Sequence, residues 1–358
     1  MKLNINFNPG PSQLYFTVPD HIRQALREGV PSLSHRSSAF EKIFAEAVEN
    51  IRALLSLPAS YSVLFCSSAT EIWERIIQNL TAEHSVHLSA GAFGRRFYDT
   101  AVQLGRKSVV VEKPMGEGFS KAPEIPPTEL VAITHNETST GVTTPTEVIR
   151  SIKNSNPSCL IAVDAVSSLP YPRFDYESID TLFFSVQKGF GLPAGLGVWL
   201  VNEKCMEKEE HLRSRGHVTG SYHNLSSLLK HAKKNQTPET PNVMGIYLLA
   251  KVSADMLRRS IEILRRETEY KAAVLYNALE QHKELAPFVK QNTVRSPTVI
   301  VAETGTHTAT LYNRLVEHGI QPGEGYGRLN TTTLRFANFP AHSKEQAEQL
   351  ADILTNYA

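Results

Sequence analysis

The chain has 358 residues, and 37 Lys+Arg against 36 Asp+Glu give a formal net charge of +1. Apolar residues make up 41% and charged residues 20%, ordinary values for a globular protein long enough to form two domains. The even charge excludes the broad basic field of a nucleic-acid or anionic-membrane binder. Cys66, Cys159 and Cys205 are far apart and make neither a CxxC pair nor a metal-ligand spacing, so no metal site is expected. With an N-terminus that lacks a signal-peptide core, they point to a reduced compartment, the cytoplasm. No apolar stretch is long enough for a membrane span.

Asn8-Pro9-Gly10-Pro11 predicts a loop. From Ser62 onward short apolar runs alternate with helical spacing. Ser62-Val63-Leu64-Phe65-Cys66 predicts a strand, and Ile72, Ile76 and Leu80 predict a helix over 69–80. Strands are expected at 85–88, 108–111, 130–134, 160–164, 181–187 and 196–201, with helices near 95–104 and after Pro145. Their continuous apolar character fits buried parallel strands. Pro123 to Pro127 predicts a loop, and Lys230-His231-Ala232-Lys233-Lys234 a solvated one. A single long helix is expected over 246–270, then strands at 298–302 and 333–337, each followed by a helix. The alternation predicts a large α/β domain over 15–245 with a mostly parallel, seven-stranded-type sheet. A smaller α+β domain takes 246–358, and 1–14 packs at the junction.

Lys188 follows the apolar run Phe183-Phe184-Ser185-Val186-Gln187 and precedes a Gly/Pro-rich loop. A lysine at the end of a buried strand is costly unless it is paired, neutralised or covalently used. Asp164 ends the strand Leu160-Ile161-Ala162-Val163. An amine and a carboxylate at one sheet edge suit pyridoxal phosphate, which needs a lysine for its Schiff base and an acid for its ring nitrogen. A structural ion pair is the alternative. Ser67-Ser68-Ala69-Thr70, between a strand and a helix, is either a phosphate cup or an ordinary helix cap. Phe93, after the next strand, can stack on a ring or merely pack. Thr138 lies in a polar cluster after a further strand. Ligands bind at the carboxyl ends of parallel strands, which would gather Ser68, Phe93, Thr138, Asp164 and Lys188 at one edge.

Asp164, Gln187-Lys188 with its Gly/Pro-rich continuation, and Asn136-Glu137-Thr138-Ser139-Thr140-Gly141 resemble class V aminotransferases of PLP fold type I. Asn8-Pro9-Gly10-Pro11, Ser34-His35-Arg36 and Val63-Leu64-Phe65-Cys66 resemble the phosphoserine-forming branch of that family. The resemblance implies that Lys188 carries the cofactor and the proton and that Asp164 holds the ring nitrogen. It further implies that Phe93 stacks on the ring, Thr138 meets the ring hydroxyl, and Ser68, Ala69, Thr70 and Gln187 cradle the phosphate. Thr240 would reach in from a second subunit, making an obligatory homodimer with a shared site. Arg335 would hold the substrate α-carboxylate, and His35, Arg36 and Arg328 a distal anion. The implied reaction converts 3-phosphooxypyruvate and glutamate to phosphoserine and 2-oxoglutarate. A class V enzyme for serine or alanine with glyoxylate or pyruvate is the alternative. A non-catalytic cofactor-binding protein is a third reading, which the intact Lys188 disfavours. Glu71 and Gly327 stand where relatives carry Arg and His.

Overall fold

The computed structural model describes residues 5–357. Residues 1–4 of the N-terminal segment, and Ala358, lie outside it. Seven strands form one sheet in the order Ser62–Cys66, Gly197–Val201, Thr181–Ser185, Leu160–Asp164, Leu130–Thr134, His84–Ser89, Lys107–Glu112. Only Gly197–Val201 runs antiparallel to its neighbours. The inner strands Leu130–Thr134, Leu160–Asp164 and Thr181–Ser185 are buried at every position and mostly apolar because helices cover both faces. Lys107–Glu112 was expected to be equally buried. It instead alternates between exposed and half-buried positions, because it is the edge strand and packs on one face only.

The second sheet has five strands, with Thr333–Ala337 paired to Val299–Glu303 and to Ile320–Glu324. Ile5–Phe7 adds at its edge, parallel to Ile320–Glu324. The N-terminal segment therefore starts in the smaller sheet. It then crosses to the larger one, where the Ser12 N–H donates to the Gln187 carbonyl at 3.0 Å and Tyr15 N–H to the Gly191 carbonyl at 2.8 Å.

The long helix expected over 246–270 is two helices, Val243–Arg259 and Ile261–Gln281. The break is Ser260, which has φ 72° and ψ 126°. Val243–Arg259 packs along Ser38–Leu55 in the core of the larger unit, whereas Ile261–Gln281 packs on the C-terminal helix Lys344–Thr355. One straight helix could not serve both surfaces. A serine at that backbone angle is strained, while glycine adopts it freely. Ser260→Gly is expected to stabilise the protein by about 1 kcal/mol, read as a higher urea midpoint at unchanged slope.

The basic run at 230–234 is also not wholly a loop. Lys230 and His231 lie in the last turn of Leu225–Ala232, where cations favour the carbonyl end of the helix dipole. No helix among the described residues is long and apolar enough to cross a membrane, and all three cysteines are free and buried.

Candidate active site

The carboxyl ends of the parallel strands meet over a cavity of about 120 Å³. Ser68, Ala69, Thr70, Phe93, Thr138, Asp164, Gln187 and Lys188 all line it, with Trp73, Thr134, Asn136 and Ser185. Lys188 is buried, and its Nζ donates to Thr138 Oγ1 at 3.1 Å. Thr138 Oγ1 donates on to Ser167 Oγ at 2.8 Å, which also accepts from the Asn136 amide at 2.8 Å. Nζ stands 5.2 Å from the centre of the Phe93 ring. Burial pulls the Lys188 ammonium down to about 8, against the opposing pull of Asp164.

Asp164 is held by the Val166 N–H and the Trp73 indole N–H, each at 3.0 Å. Burial pushes its carboxyl up to about 6, and those two donors limit the rise. It is therefore ionised at neutral pH. Trp73 was not foreseen as a site residue. Its position one turn into helix Ala69–Leu80, facing the same edge as Ser68, is the signal that could have revealed it.

Glu137 was not foreseen either. Fully buried, it accepts the Phe93 and Gly94 N–H groups at 3.0–3.2 Å and the Ser139 hydroxyl at 2.6 Å. It caps helix Ala92–Gln103 from the short strand Asn136–Glu137 and so fixes Phe93. Gly91 is needed for this approach, since a Cβ there would lie 2.6 Å from Glu137 Cγ. From the smaller sheet, Arg335 donates through Nε to the Glu324 carbonyl at 2.7 Å and through Nη1 to the Thr138 carbonyl at 3.2 Å. Tyr326 lies under its guanidinium at 5.5 Å and packs against Phe93 at 5.2 Å.

His35, Arg36, Arg328 and Thr240 do not line this cavity. Arg36 is tied to the 236–238 backbone, donating to the Thr237 carbonyl at 2.7 Å and the Pro238 carbonyl at 3.2 Å. His35 and Glu239 lie close enough to interact through charge. Thr240 is exposed and lines a separate pocket with Ser67, Glu71, His223 and Glu239. Arg328 is exposed, with Nε 3.2 Å from Met115 Sδ. Glu71 turns away from the cavity, since its carboxylate accepts the Ser67 N–H at 2.8 Å and contacts His223.

A larger cavity, about 650 Å³, opens beyond Asn136 between Thr143, Arg266 and Pro297. Most of its cations are matched, Arg173 and Arg265 to Glu262 and Arg295 to Glu280, and no lysine or cysteine lines it. The chemistry belongs to the smaller one. Thr134 Oγ1, Asn136 Oδ1 and Gln187 Oε1 are buried around it without a protein partner, and a Cβ on Gly10 would meet Lys188 Cε at 2.9 Å. Unsatisfied polar atoms, a helix N-terminus, an aromatic wall and a reactive amine fit a phosphorylated aromatic aldehyde.

The aminotransferase class-V family profile matches residues 119–326. The chain belongs to the class-V aminotransferase family. It is similar to a solved phosphoserine aminotransferase from Cytophaga hutchinsonii, with 46% identity, TM-score 0.98, and 100% of this chain and 99% of that one covered. A curated phosphoserine aminotransferase from Rhodococcus opacus is 29% identical over 357 residues, covering 96% of this chain and 92% of its own length. An alanine–glyoxylate aminotransferase from Nostoc sp., 22% identical with TM-score 0.78 over 99% of this chain and 95% of its own, shares the fold. The architecture is PLP fold type I, and the protein is a PLP-dependent transaminase.

Proposed function

We propose that the protein transfers the amino group of glutamate to 3-phosphooxypyruvate, giving phosphoserine and 2-oxoglutarate in serine biosynthesis in the cytoplasm. The observation that carries this reading is that buried Lys188 and buried Asp164 line one cavity and Arg335 bonds to Thr138 on its wall, in a chain 46% identical along its length to a phosphoserine aminotransferase. Ser68, Ala69, Thr70 and Gln187 would hold the cofactor phosphate, Phe93 the ring face, Thr138 the ring hydroxyl and Asp164 the ring nitrogen. Bound there, pyridoxal phosphate supplies an electron sink for the pair released when the substrate α-C–H bond breaks. Lys188 Nζ takes the α-proton and returns it, and Thr138 orients the amine. Arg335 binds the α-carboxylate, a planar anion matched by its fork of donors.

The placement of His35, Arg36 and Thr240 supports a homodimer with shared sites. Arg36 is tied to the segment that leads to Thr240, and none of the three lines the cavity of this chain's own Lys188, as expected of residues that serve a second copy. Two-fold pairing would then bring His35 and Arg36 to the distal phosphate or γ-carboxylate of the substrate, with Arg328 at its rim.

Half-reactions of the purified protein with phosphoserine, glutamate, serine and alanine in turn test the reading, each followed by cofactor absorbance. Phosphoserine and glutamate are expected to react fastest. Arg335→Ala should lower kcat/KM for every amino acid by about 2–5 kcal/mol, and Arg36→Ala only for phosphoserine and glutamate. A preference for alanine or serine would replace this reading with a glyoxylate- or pyruvate-dependent one.

A further inference from the structure

Beside the Lys188 cavity the chain builds a second cluster of charge. His223, only 4% exposed, lies between two carboxylates. Its Nδ1 is in direct contact with Glu71, and its Nε2 is 2.8 Å from Glu239 Oε2. The two acids belong to different pieces of the fold. Glu71 sits in the first turn of helix Ala69–Leu80, and its second oxygen accepts from the Ser67 hydroxyl at 2.5 Å and N–H at 2.8 Å. Glu239 directly precedes Thr240. That segment is gripped on its other side by Arg36, and it ends at Asn242, whose amide donates to the Gly195 carbonyl at 3.1 Å.

The protonated state of His223 follows from this placement. With a neutral imidazole no cation would stand between the two half-buried carboxylates, an expensive arrangement. Burial opposes the charge, yet Glu239 and Glu71 outweigh it and hold the imidazolium up to about 9. Glu71 in turn falls to about 2 despite its burial, through His223 and Ser67. Cys66 also approaches within 4.8 Å, but the direct Glu71–His223 contact leaves no space for a cation between them.

We propose that His223 is a positioning residue for the cofactor phosphate: as an imidazolium it locks the Thr240 segment onto the start of helix Ala69–Leu80. One end of the clamp is then the helix that carries this chain's own cup of Ser68, Ala69 and Thr70, and the other end presents Thr240 to the partner's phosphate in the shared-site dimer. This rests on the reading of the Lys188 cavity as a pyridoxal phosphate site. Deprotonation acts twice, removing the cation that holds Glu239 to Glu71 and leaving two carboxylates uncompensated next to the first turn of the helix that carries the cup. The other ionisable groups around the clamp do not replace it. Burial keeps the Cys66 thiol protonated, Arg75 pairs with Glu74, Tyr222 packs on the imidazole ring, and His35 and Arg36 approach Glu239 from its far side. His223 carries a raised folded value, so its contribution is complete below the unfolded value of ~6.5 and is lost as pH rises through about 9.

Pyridoxamine 5′-phosphate tests the proposal, because it carries the phosphate but forms no bond to Lys188. Its Kd, and that of pyridoxamine without phosphate, are measured by fluorescence for wild type, His223→Gln and Glu239→Gln. Each substitution is expected to weaken the phosphorylated ligand about tenfold near neutral pH and leave pyridoxamine unchanged. Wild-type affinity should fall toward that of the variants as pH rises through about 9. Affinities within twofold of wild type would overturn the proposal, as would equal weakening of both ligands with a lower Tm, the sign of a purely structural role. One zinc per chain, lost in His223→Gln, would also overturn it. If wild type binds neither pyridoxal phosphate nor pyridoxamine phosphate, the reading of the Lys188 cavity fails and this proposal with it.

Discussion

Lys188→Ala should abolish amino transfer, lowering kcat by roughly a thousandfold or more. Two functions disappear together: the amine that carries the cofactor and the base that moves the α-proton. The cavity walls should survive, because only Thr138 Oγ1 loses a partner and it keeps its bond to Ser167. The variant should therefore fold and still bind pyridoxamine phosphate. Removing a buried amine should if anything favour folding at neutral pH. Burial pulls the Lys188 ammonium down to about 8, so the fold carries a penalty that grows as pH falls from the ordinary lysine value of ~10.4 to about 8 and is complete below it. The same displacement has a kinetic consequence. Cofactor-free wild type should capture pyridoxal phosphate faster as pH rises through about 8, since only the neutral amine attacks an aldehyde. Stopped-flow absorbance reads both effects. A variant retaining a tenth of wild-type turnover would remove Lys188 from the mechanism.

Asp164→Asn comes second, with an expected loss of roughly a hundredfold or more in kcat. The amide has nearly the shape of the carboxylate but one oxygen in place of two, so it keeps only one of the Val166 and Trp73 donors, which bind different oxygens of Asp164. It cannot hold a proton on a ring nitrogen by charge. Cofactor affinity should fall much less than turnover, because the phosphate cup is separate from Asp164. Equal losses in both would mean that Asp164 chiefly anchors the ligand. A rate near that of wild type would assign the ring nitrogen to another group.

Most of the larger sheet was legible because its strands are buried on both faces and end in residues of unusual cost for their position, Asp164 and Lys188 above all. Strand Ile320–Glu324 was not legible. Pro322 and Gly323 argue against a strand, yet Gly323 is required where Pro9 packs, since a Cβ there would meet Pro9 Cδ at 2.5 Å. Helix Ser38–Leu55 had a readable stripe at Phe40, Phe44, Ala47 and Ile51 and a Ser37 cap. The break at Ser260 left no mark, because no glycine or proline punctuates it. In the site, residue types with their own chemistry stood out. Glu137, Trp73 and His223 did not, because their roles arise from neighbours distant in sequence: residues 93 and 94, 164, and 71 and 239.

The central claim is that Lys188 is the reacting amine of a pyridoxal phosphate transaminase. Borohydride reduction of the holoenzyme, followed by digestion and mass spectrometry, tests it most directly. The account predicts a reduced pyridoxyl phosphate group on the peptide carrying Gln187 and Lys188, at one per chain, and no label after prior conversion with phosphoserine. Label on another lysine, or none in a protein that still transfers amino groups, would contradict it.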